Sequence, residues 1–236
     1  MVAVSSPLIG ILALQGGVEE HAAILESLGA TVRRVRLPGD LEGLDGIVLP
    51  GGESSTIDKL ARTLGLAAPL YRAILPVQSE KDKGERSQTR TERPERKGLP
   101  VLATCAGLIY SAKEIENSAP GQQTLGILDA TVRRNAFGNQ RFSTERTVPI
   151  DLPGDVSAAV EVPFTVEASF IRAPIVTRVG EGVDVIARVA GGGLGDVDGE
   201  DTFTVGVRQD NVWALSFHPE ENGDERVHAA WLQECS

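Results

Sequence analysis

The chain has 236 residues, of which 41% are hydrophobic and 24% are charged, and its formal net charge at pH 7 is −10. This negative charge argues against general binding to nucleic acid or to anionic membranes, because both need a basic surface. No apolar run approaches the roughly 18 residues of a membrane span, and the N-terminus lacks a signal-peptide pattern, so we expect a cytoplasmic, enzyme-like protein.

The N-terminal half alternates predicted strands with predicted helices. Four strands are expected, at 8–14, 31–37, 46–50 and 99–104. The first is a continuous apolar run, which is typical of a strand covered on both faces. Helices are expected at 17–30, 54–66 and 106–116, where the first two carry apolar residues at helical spacing. This alternation predicts an α/β fold with a doubly wound, mostly parallel sheet flanked by helices.

The segment 78–97 differs from the rest of the chain in composition. Twelve of its 20 residues are charged and none is a large hydrophobe. Such a stretch cannot bury enough apolar surface to offset the entropy lost on ordering. We expect a solvated, mobile insertion between a helix that ends near residue 75 and the strand at 99–104. A docking or regulatory loop is the alternative.

Beyond residue 120 the pattern changes to short strands punctuated by glycine and proline. Seven strands are predicted, at 125–132, 142–150, 159–171, 173–179, 183–189, 201–209 and 212–217, and a helix at 221–234 follows them. The glycine-rich segment 191–201 lacks the Lys-Ser/Thr of a phosphate-binding loop and is expected to be a hairpin tip. No repeat or linker divides the chain. We therefore predict a single domain over 1–236, with additional short antiparallel strands in its C-terminal half.

Cys105 is the first candidate for chemistry. A disulfide with Cys235, 130 residues away, is disfavoured without a secretion signal, and a zinc site is disfavoured without a Cys/His cluster. Cys105 is therefore a buried core thiol or a nucleophile. Ala103 and Gly107 flank it in a strand–turn–helix pattern typical of a nucleophile elbow. In such an elbow the helix N-terminus favours the thiolate, and the N–H of Ala106 is placed to stabilise an oxyanion.

His218 offers the base that a cysteine nucleophile requires. It ends an apolar strand and is followed by Pro219 and Glu220, so that an imidazole stands next to an orienting carboxylate. The other two histidines are His21, expected on a polar helix face, and His228 on the last helix. Both are predicted to be structural or surface residues.

The stretch LPGGESST at 49–56 is the third candidate. A strand ends there, two glycines permit a close approach of the backbone, and polar residues begin a helix. It is either a tight turn with a serine cap or a substrate-contacting loop. In the second interpretation, Gly51 and Gly52 supply another oxyanion donor.

The motifs GGES, TCAG and HPE, in this order, resemble those of the class I, triad-type glutamine amidotransferases, and the resemblance covers nearly the whole chain. More narrowly, the sequence is similar to the glutaminase subunits of pyridoxal 5′-phosphate synthase. Four stretches carry this similarity: ILALQGGVEEH at 11–21, LPGGESST at 49–56, RRNAFGNQ at 133–140 and FIRAP at 170–174.

The resemblance implies hydrolysis of L-glutamine to L-glutamate and ammonia without a metal or an organic cofactor. The ammonia would pass to a synthase subunit, a (β/α)8 barrel that makes pyridoxal 5′-phosphate from a pentose phosphate and a triose phosphate. By motif, Cys105 is the nucleophile, His218 is the general base and then acid, and Glu220 orients His218. By the same resemblance, Gln15 stands at a position near the subunit interface. The residues at the family's glutamine-contacting positions are Gly52, Glu53, Ser54, Arg134, Ile171 and Arg172.

Two positions depart from the family pattern. Ala103 replaces the usual glycine before TCAG, and Glu221 follows HPE where leucine is common. Three alternative functions share part of the motif set: a glutaminase subunit for another synthase, such as imidazole glycerol phosphate synthase of histidine biosynthesis, a peptide-cleaving cysteine hydrolase, and a scaffold without turnover. RRNAFGNQ and FIRAP weigh against the first, and the GGES loop with two arginines weighs against the second. The intact Cys–His–Glu set weighs against the third.

Overall fold

The computed structural model describes residues 6–76, 98–137, 144–152, 163–191 and 202–235. The predicted insertion at 78–97 and nearly all of the glycine-rich segment at 191–201 lie outside these ranges. The α-helices within them are α1 (Val18–Ser27), α2 (Ser54–Thr63), α3 (Ala67–Ile74), α4 (Ala106–Ser111) and α5 (Arg226–Leu232). Of the described helices, none is both long and apolar enough to cross a membrane.

Twelve strands accompany these helices, nearly all at or close to predicted positions. In chain order they are β1 (Leu8–Leu12), β2 (Thr31–Val35), β3 (Gly46–Leu49), β4 (Val101–Thr104), β5 (Ala112–Ile115), β6 (Leu128–Arg133), β7 (Thr144–Ile150), β8 (Phe164–Phe170), β9 (Ile175–Val179), β10 (Asp184–Ala190), β11 (Thr202–Gln209) and β12 (Val212–Leu215).

All twelve strands join one sheet, whose main order is β2-β1-β3-β4-β12-β11-β10-β7-β8. The first five strands of this order are parallel. The pairs from β12 onward are antiparallel. Beside this path, β5 pairs parallel with β6, and β9 pairs antiparallel with β6 and β11. The predicted α/β fold with antiparallel strands in the C-terminal half is confirmed.

Alternating side chains of the parallel strands enter two separate cores. In β1, Ile9 and Ile11 belong to the core that also holds residues of α1 and α5, while Leu12 belongs to the core with α2, α3 and α4. In β12, Trp213 and Leu215 face the first core, and Val212 and Ala214 face the second. Helices therefore cover the parallel sheet on both faces, which explains why its strands are almost uniformly apolar.

The helix predicted at 106–116 is shorter than expected. It ends at Ser111, and the next four residues form β5, which pairs with β6 in parallel. The composition of this stretch suits a helix, but pairing with a distant strand overrides that local preference. Cys105 therefore lies at the turn between β4 and a helix of only six residues.

The side chain of Asn211 bridges two backbone segments at the end of the sheet opposite the carboxyl ends of the parallel strands. Its amide nitrogen donates to the carbonyl oxygens of Ile74, at 2.9 Å, and Leu99, at 2.7 Å. These two acceptors stand on either side of residues 77–97. One side chain therefore joins the backbone before that segment to the backbone after it.

Replacing Asn211 with alanine is expected to lower the free energy of unfolding by about 1–3 kcal/mol, because two backbone carbonyls lose their donor. Urea unfolding of the full chain measures this change. Asn211→Asp is the matched variant, since it keeps the shape but turns an oxygen toward the two carbonyls, and it should be at least as destabilising. A loss below about 0.5 kcal/mol in both variants would show that these two hydrogen bonds contribute nothing to the free energy of unfolding.

Candidate active site

Cys105 lies at the turn between β4 and α4, as the elbow pattern predicts. Its backbone has a φ of 47°, which is uncommon for a residue with a side chain, and its N–H donates to the carbonyl of Leu215 at 2.8 Å. A β-carbon on Gly107 would lie 1.9 Å from the carbonyl oxygen of Leu49, so only glycine fits where the helix passes the neighbouring strand. The turn is thus fixed by its neighbours, and strain of this kind is typical of functional sites.

His218 and Glu220 follow β12, the parallel neighbour of β4. The backbone N–H of His218 is held by the carbonyl of Ser169, at 3.3 Å. Pro219 then begins a short 3₁₀ helix at Glu220–Asn222. This turn brings His218 Nδ1 to 2.8 Å from Glu220 Oε1, and Glu220 is only 5% exposed. The predicted base and orienting acid are therefore in direct contact.

The electrostatics of this group favour an ion pair. Burial opposes a charge on His218, but hydrogen bonds to Cys105 and Glu220, together with their negative charges, raise the pKa of His218 to about 11. Burial likewise opposes ionisation of Glu220, yet its interactions with His21 and His218 hold the pKa of that carboxyl well below its usual range. An imidazolium beside a thiolate and a carboxylate is the state that suits a cysteine nucleophile.

The loop after β3 approaches the same point from the other side. A β-carbon on Gly51 would lie 2.0 Å from His218 Cε1, so a side chain there would displace the base. The carbonyl of Gly51 accepts from the N–H of Gly17, at 3.2 Å. The next turn is held by Gln15, whose Oε1 accepts from the N–H of Glu53 at 2.6 Å. Gly51 is thus packed against His218, and Gln15 is packed against Gly52.

Arg134 is engaged by protein groups at the rim of the site. Its guanidinium donates to Glu53 Oε1, at 2.9 Å, and to Gln122 Oε1, at 2.8 Å. Gln122 in turn donates to the hydroxyl of Ser54 at 3.0 Å. By contrast, Arg172 is exposed, has a φ of 48°, and forms no ion pair with any carboxylate of the described residues. Of the two arginines, Arg172 has its guanidinium available.

A cavity of about 280 Å³ opens over Cys105, a size suited to a small molecule. Predicted site residues make up most of its wall: Gln15, Gly51, Gly52, Glu53, Cys105, Ile171, Arg172, His218 and Glu220. A smaller cleft continues from it past Ser54 and Arg134. Ala106 lines neither space; it is buried as the first residue of α4, where its N–H lacks an intrahelical acceptor.

The surroundings of Glu220 differ from those expected from the sequence. His21 was expected on a polar face, but it is fully buried and its Nε2 lies 3.2 Å from Glu220 Oε1. His228 is also fully buried, with its Nε2 2.8 Å from His21 Nδ1. The helical spacing contained the signal, because position 21 falls between the apolar residues Val18 and Ala22 on the buried face of α1. No sequence pattern indicated that Gln122 would lie at the site.

Comparisons with known proteins identify the family of the chain. The profile of the SNO glutamine amidotransferase family matches residues 11–83 and 85–236. Two bacterial relatives bear the name pyridoxal 5′-phosphate synthase subunit PdxT. That of Cutibacterium acnes is 53% identical over 231 residues, which are 98% of each chain. That of Corynebacterium glutamicum (strain R) is 52% identical over 225 residues, which are 95% of this chain and 94% of the relative.

Solved structures show the same fold. A crystal structure of a glutamine amidotransferase is 37% identical, with a TM-score of 0.73, and the match covers 96% of this chain and 98% of that one. The PurLQS structure from Thermotoga maritima is 19% identical with a TM-score of 0.56, over 98% of this chain and 96% of that one, and supports the fold alone. The family expected from the motifs is confirmed. The chain belongs to the SNO glutamine amidotransferase family.

Proposed function

We propose that this protein is the glutaminase subunit of a pyridoxal 5′-phosphate synthase, which hydrolyses L-glutamine to L-glutamate and ammonia. The observation that carries the proposal is the contact of Cys105, His218 and Glu220 at the edge of one small cavity. The relatives named as synthase subunits, at about half identity over nearly the full chain, support the assignment of the complex. The whole chain, 1–236, would act as one amidotransferase domain.

The proposed reaction follows from the protonation of this group. The Cys105 thiolate adds to the side-chain amide carbon of glutamine, and the oxyanion that forms is held by backbone N–H groups of Gly51, Gly52 and Ala106. The His218 imidazolium gives its proton to the leaving nitrogen, so that ammonia departs and a thioester remains. Neutral His218 then takes a proton from water, which adds to the thioester and releases glutamate and the thiolate.

Substrate binding is assigned to the residues at the cavity and its side cleft. Arg172, as the available guanidinium, would bind the α-carboxylate of glutamine, which needs a cationic partner. Glu53 would bind the α-ammonium group, and Arg134 would hold Glu53 in place through the 2.9 Å ion pair. Gly52, Ser54 and Ile171 complete the proposed contacts. No step of this reaction uses a metal or an organic cofactor.

The partner is proposed to be the synthase subunit, which would take up the ammonia. Gln15 is the candidate for coupling the two subunits, because it holds the backbone N–H of Glu53 next to the catalytic group. A cytoplasmic location is also proposed. Both cysteines of the chain are free thiols, which is typical of a reducing compartment.

Glutamate release tests the proposal directly. The purified chain should hydrolyse glutamine weakly alone and faster when the synthase subunit is added. The cyclase subunit of imidazole glycerol phosphate synthase serves as the comparison, and it should give no stimulation. Stimulation by the cyclase, with none by the synthase subunit, would assign the chain to the other complex.

A further inference from the structure

A buried polar chain extends from the catalytic group into the protein, behind Glu220. Glu220 Oε1 receives His218 Nδ1 at 2.8 Å on one side and lies 3.2 Å from His21 Nε2 on the other. Glu220 Oε2 has no hydrogen-bond partner among the described residues. The orientation of this carboxylate therefore depends on two histidines, only one of which belongs to the expected triad.

His21 is itself held at both ring nitrogens. Its Nδ1 lies 2.8 Å from Nε2 of His228, and its Nε2 lies 3.1 Å from the hydroxyl of Thr104, the residue before Cys105. All three of these side chains are fully buried. His21 thus connects α1 with α5, with the end of β4 and with the 3₁₀ helix that carries Glu220.

The protonation of this chain can be assigned by elimination. Burial lowers the pKa of His228 to about 3, so His228 is neutral and has one N–H. Its Nδ1 has no partner among the described residues, so the proton belongs on Nε2, where His21 Nδ1 accepts it. The proton of His21 is then on Nε2, which faces Glu220 Oε1. The opposite arrangement would turn the Nε2 lone pair toward the Glu220 carboxylate.

We propose that His21 is a positioning residue of the catalytic group: its Nε2–H donates to Glu220 Oε1, and His228 fixes the tautomer that carries this proton. The inference rests on the proposed glutaminase function. His21 is absent from the wall of the substrate cavity, so its effect reaches the reaction only through Glu220 and His218. The donor keeps the buried carboxylate ionised and aimed at the base.

The proposal predicts a specific pH dependence. The folded-state pKa of Glu220 is depressed, and loss of a donor moves it back up, so less of the carboxylate is ionised at acidic pH. The acidic limb of the rate profile should therefore move to higher pH. The titratable and charged groups around Glu220 and His218 are His21 and Cys105 in contact with them, Glu20, Glu221 and Arg172 along the cavity, and His228 and Asp224 on the buried side.

Three variants of the full chain, assayed with the synthase subunit, test the proposal. His21→Leu should lower kcat about 10- to 100-fold at neutral pH, with KM within about threefold, and should move the acidic limb up by about one pH unit. His21→Gln restores an N–H near the position of Nε2 and should recover most of the loss. Leu25→Ala, one turn further on the buried face of α1, weakens the same helix and should leave the acidic limb unchanged.

Alkylation of Cys105 by iodoacetamide separates this proposal from the proposed function, because it needs no glutamine turnover. Its acidic limb should also move to higher pH in His21→Leu. If the wild type fails to hydrolyse glutamine but this shift occurs, the glutaminase proposal fails and the role of His21 stands. Equal alkylation and rate profiles in the wild type, His21→Leu and Leu25→Ala would overturn the role of His21.

A measurement on the wild type covers the case in which His21→Leu does not fold. The ¹⁵N chemical shifts of the three imidazoles, followed from pH 5 to 9, report which nitrogens carry protons. The proposal requires a protonated Nε2 on His21 throughout this range. An unprotonated Nε2 on His21 at pH 7 would overturn it.

Discussion

Cys105→Ala is expected to reduce glutamine hydrolysis by at least about 1,000-fold, since loss of the nucleophile removes the covalent route and leaves only binding and oxyanion stabilisation. Stability should change little, because alanine occupies the same turn and the substitution removes only the Sγ atom, which borders the cavity. The measurement is glutamate release in the presence of the synthase subunit. Formation of pyridoxal 5′-phosphate from added ammonium should persist, since the synthase subunit is unaltered.

Cys235→Ala is the matched control for this variant. Cys235 is the chain's other thiol, is buried beside Trp231 and Gly46, and lies at the opposite end of β3 from the cavity. Its replacement should leave hydrolysis at the wild-type rate. Retention of more than a tenth of the activity in Cys105→Ala would eliminate Cys105 as the nucleophile.

Glu220→Gln is expected to lower kcat/KM by about 1,000-fold or more, as neutralising the acid of a catalytic triad does elsewhere. The neutral amide cannot balance the charge of the imidazolium, although its oxygen can still accept from His218 and His21 at the position of Oε1. Loss of the carboxylate also lowers the pKa of His218 from about 11, which weakens its pairing with the Cys105 thiolate. The pH profile of kcat/KM, measured with the synthase subunit, records both changes.

Glu221→Gln is the control for the loss of a carboxylate at this turn. Glu221 is exposed at the rim of the cavity, and it stands where the family commonly has leucine. Its neutralisation should change kcat/KM by less than about tenfold, since an exposed charge is well screened. Similar losses in both variants would mean that charge near the cavity matters, whereas the orientation of His218 by Glu220 does not.

The parallel half of the fold was predictable from local sequence. The strands before Gln15, Gly51, Cys105 and His218 are short apolar runs, and the carboxyl ends of parallel neighbours meet at one edge of a sheet. Four sequence-distant motifs therefore had to converge there. Glycine at 107 indicated a close helix–strand approach, and the structure shows what it avoids, the carbonyl of Leu49.

The features that local sequence could not predict depend on contacts between distant segments. Residues 112–115 suit a helix, but they pair with β6 as a strand. Arg134 could be identified as a candidate cation, whereas its engagement by Glu53 and Gln122 follows only from the tertiary structure. The polar helix face predicted for His21 was wrong for a different reason. The prediction relied on the polarity of the side chain, although the helical spacing places it on the buried face of α1. Buried polar residues are the ones for which composition misleads most.

Transfer of the amide nitrogen shows whether ammonia released at Cys105 reaches the synthase subunit. The wild-type chain and the synthase subunit, with the pentose and triose phosphates, would be given [amide-¹⁵N]glutamine in buffer containing unlabelled ammonium. We expect ¹⁵N in the ring nitrogen of pyridoxal 5′-phosphate with the wild type, and unlabelled product with Cys105→Ala. Unlabelled product with the wild type, or labelled product with Cys105→Ala, would contradict this expectation.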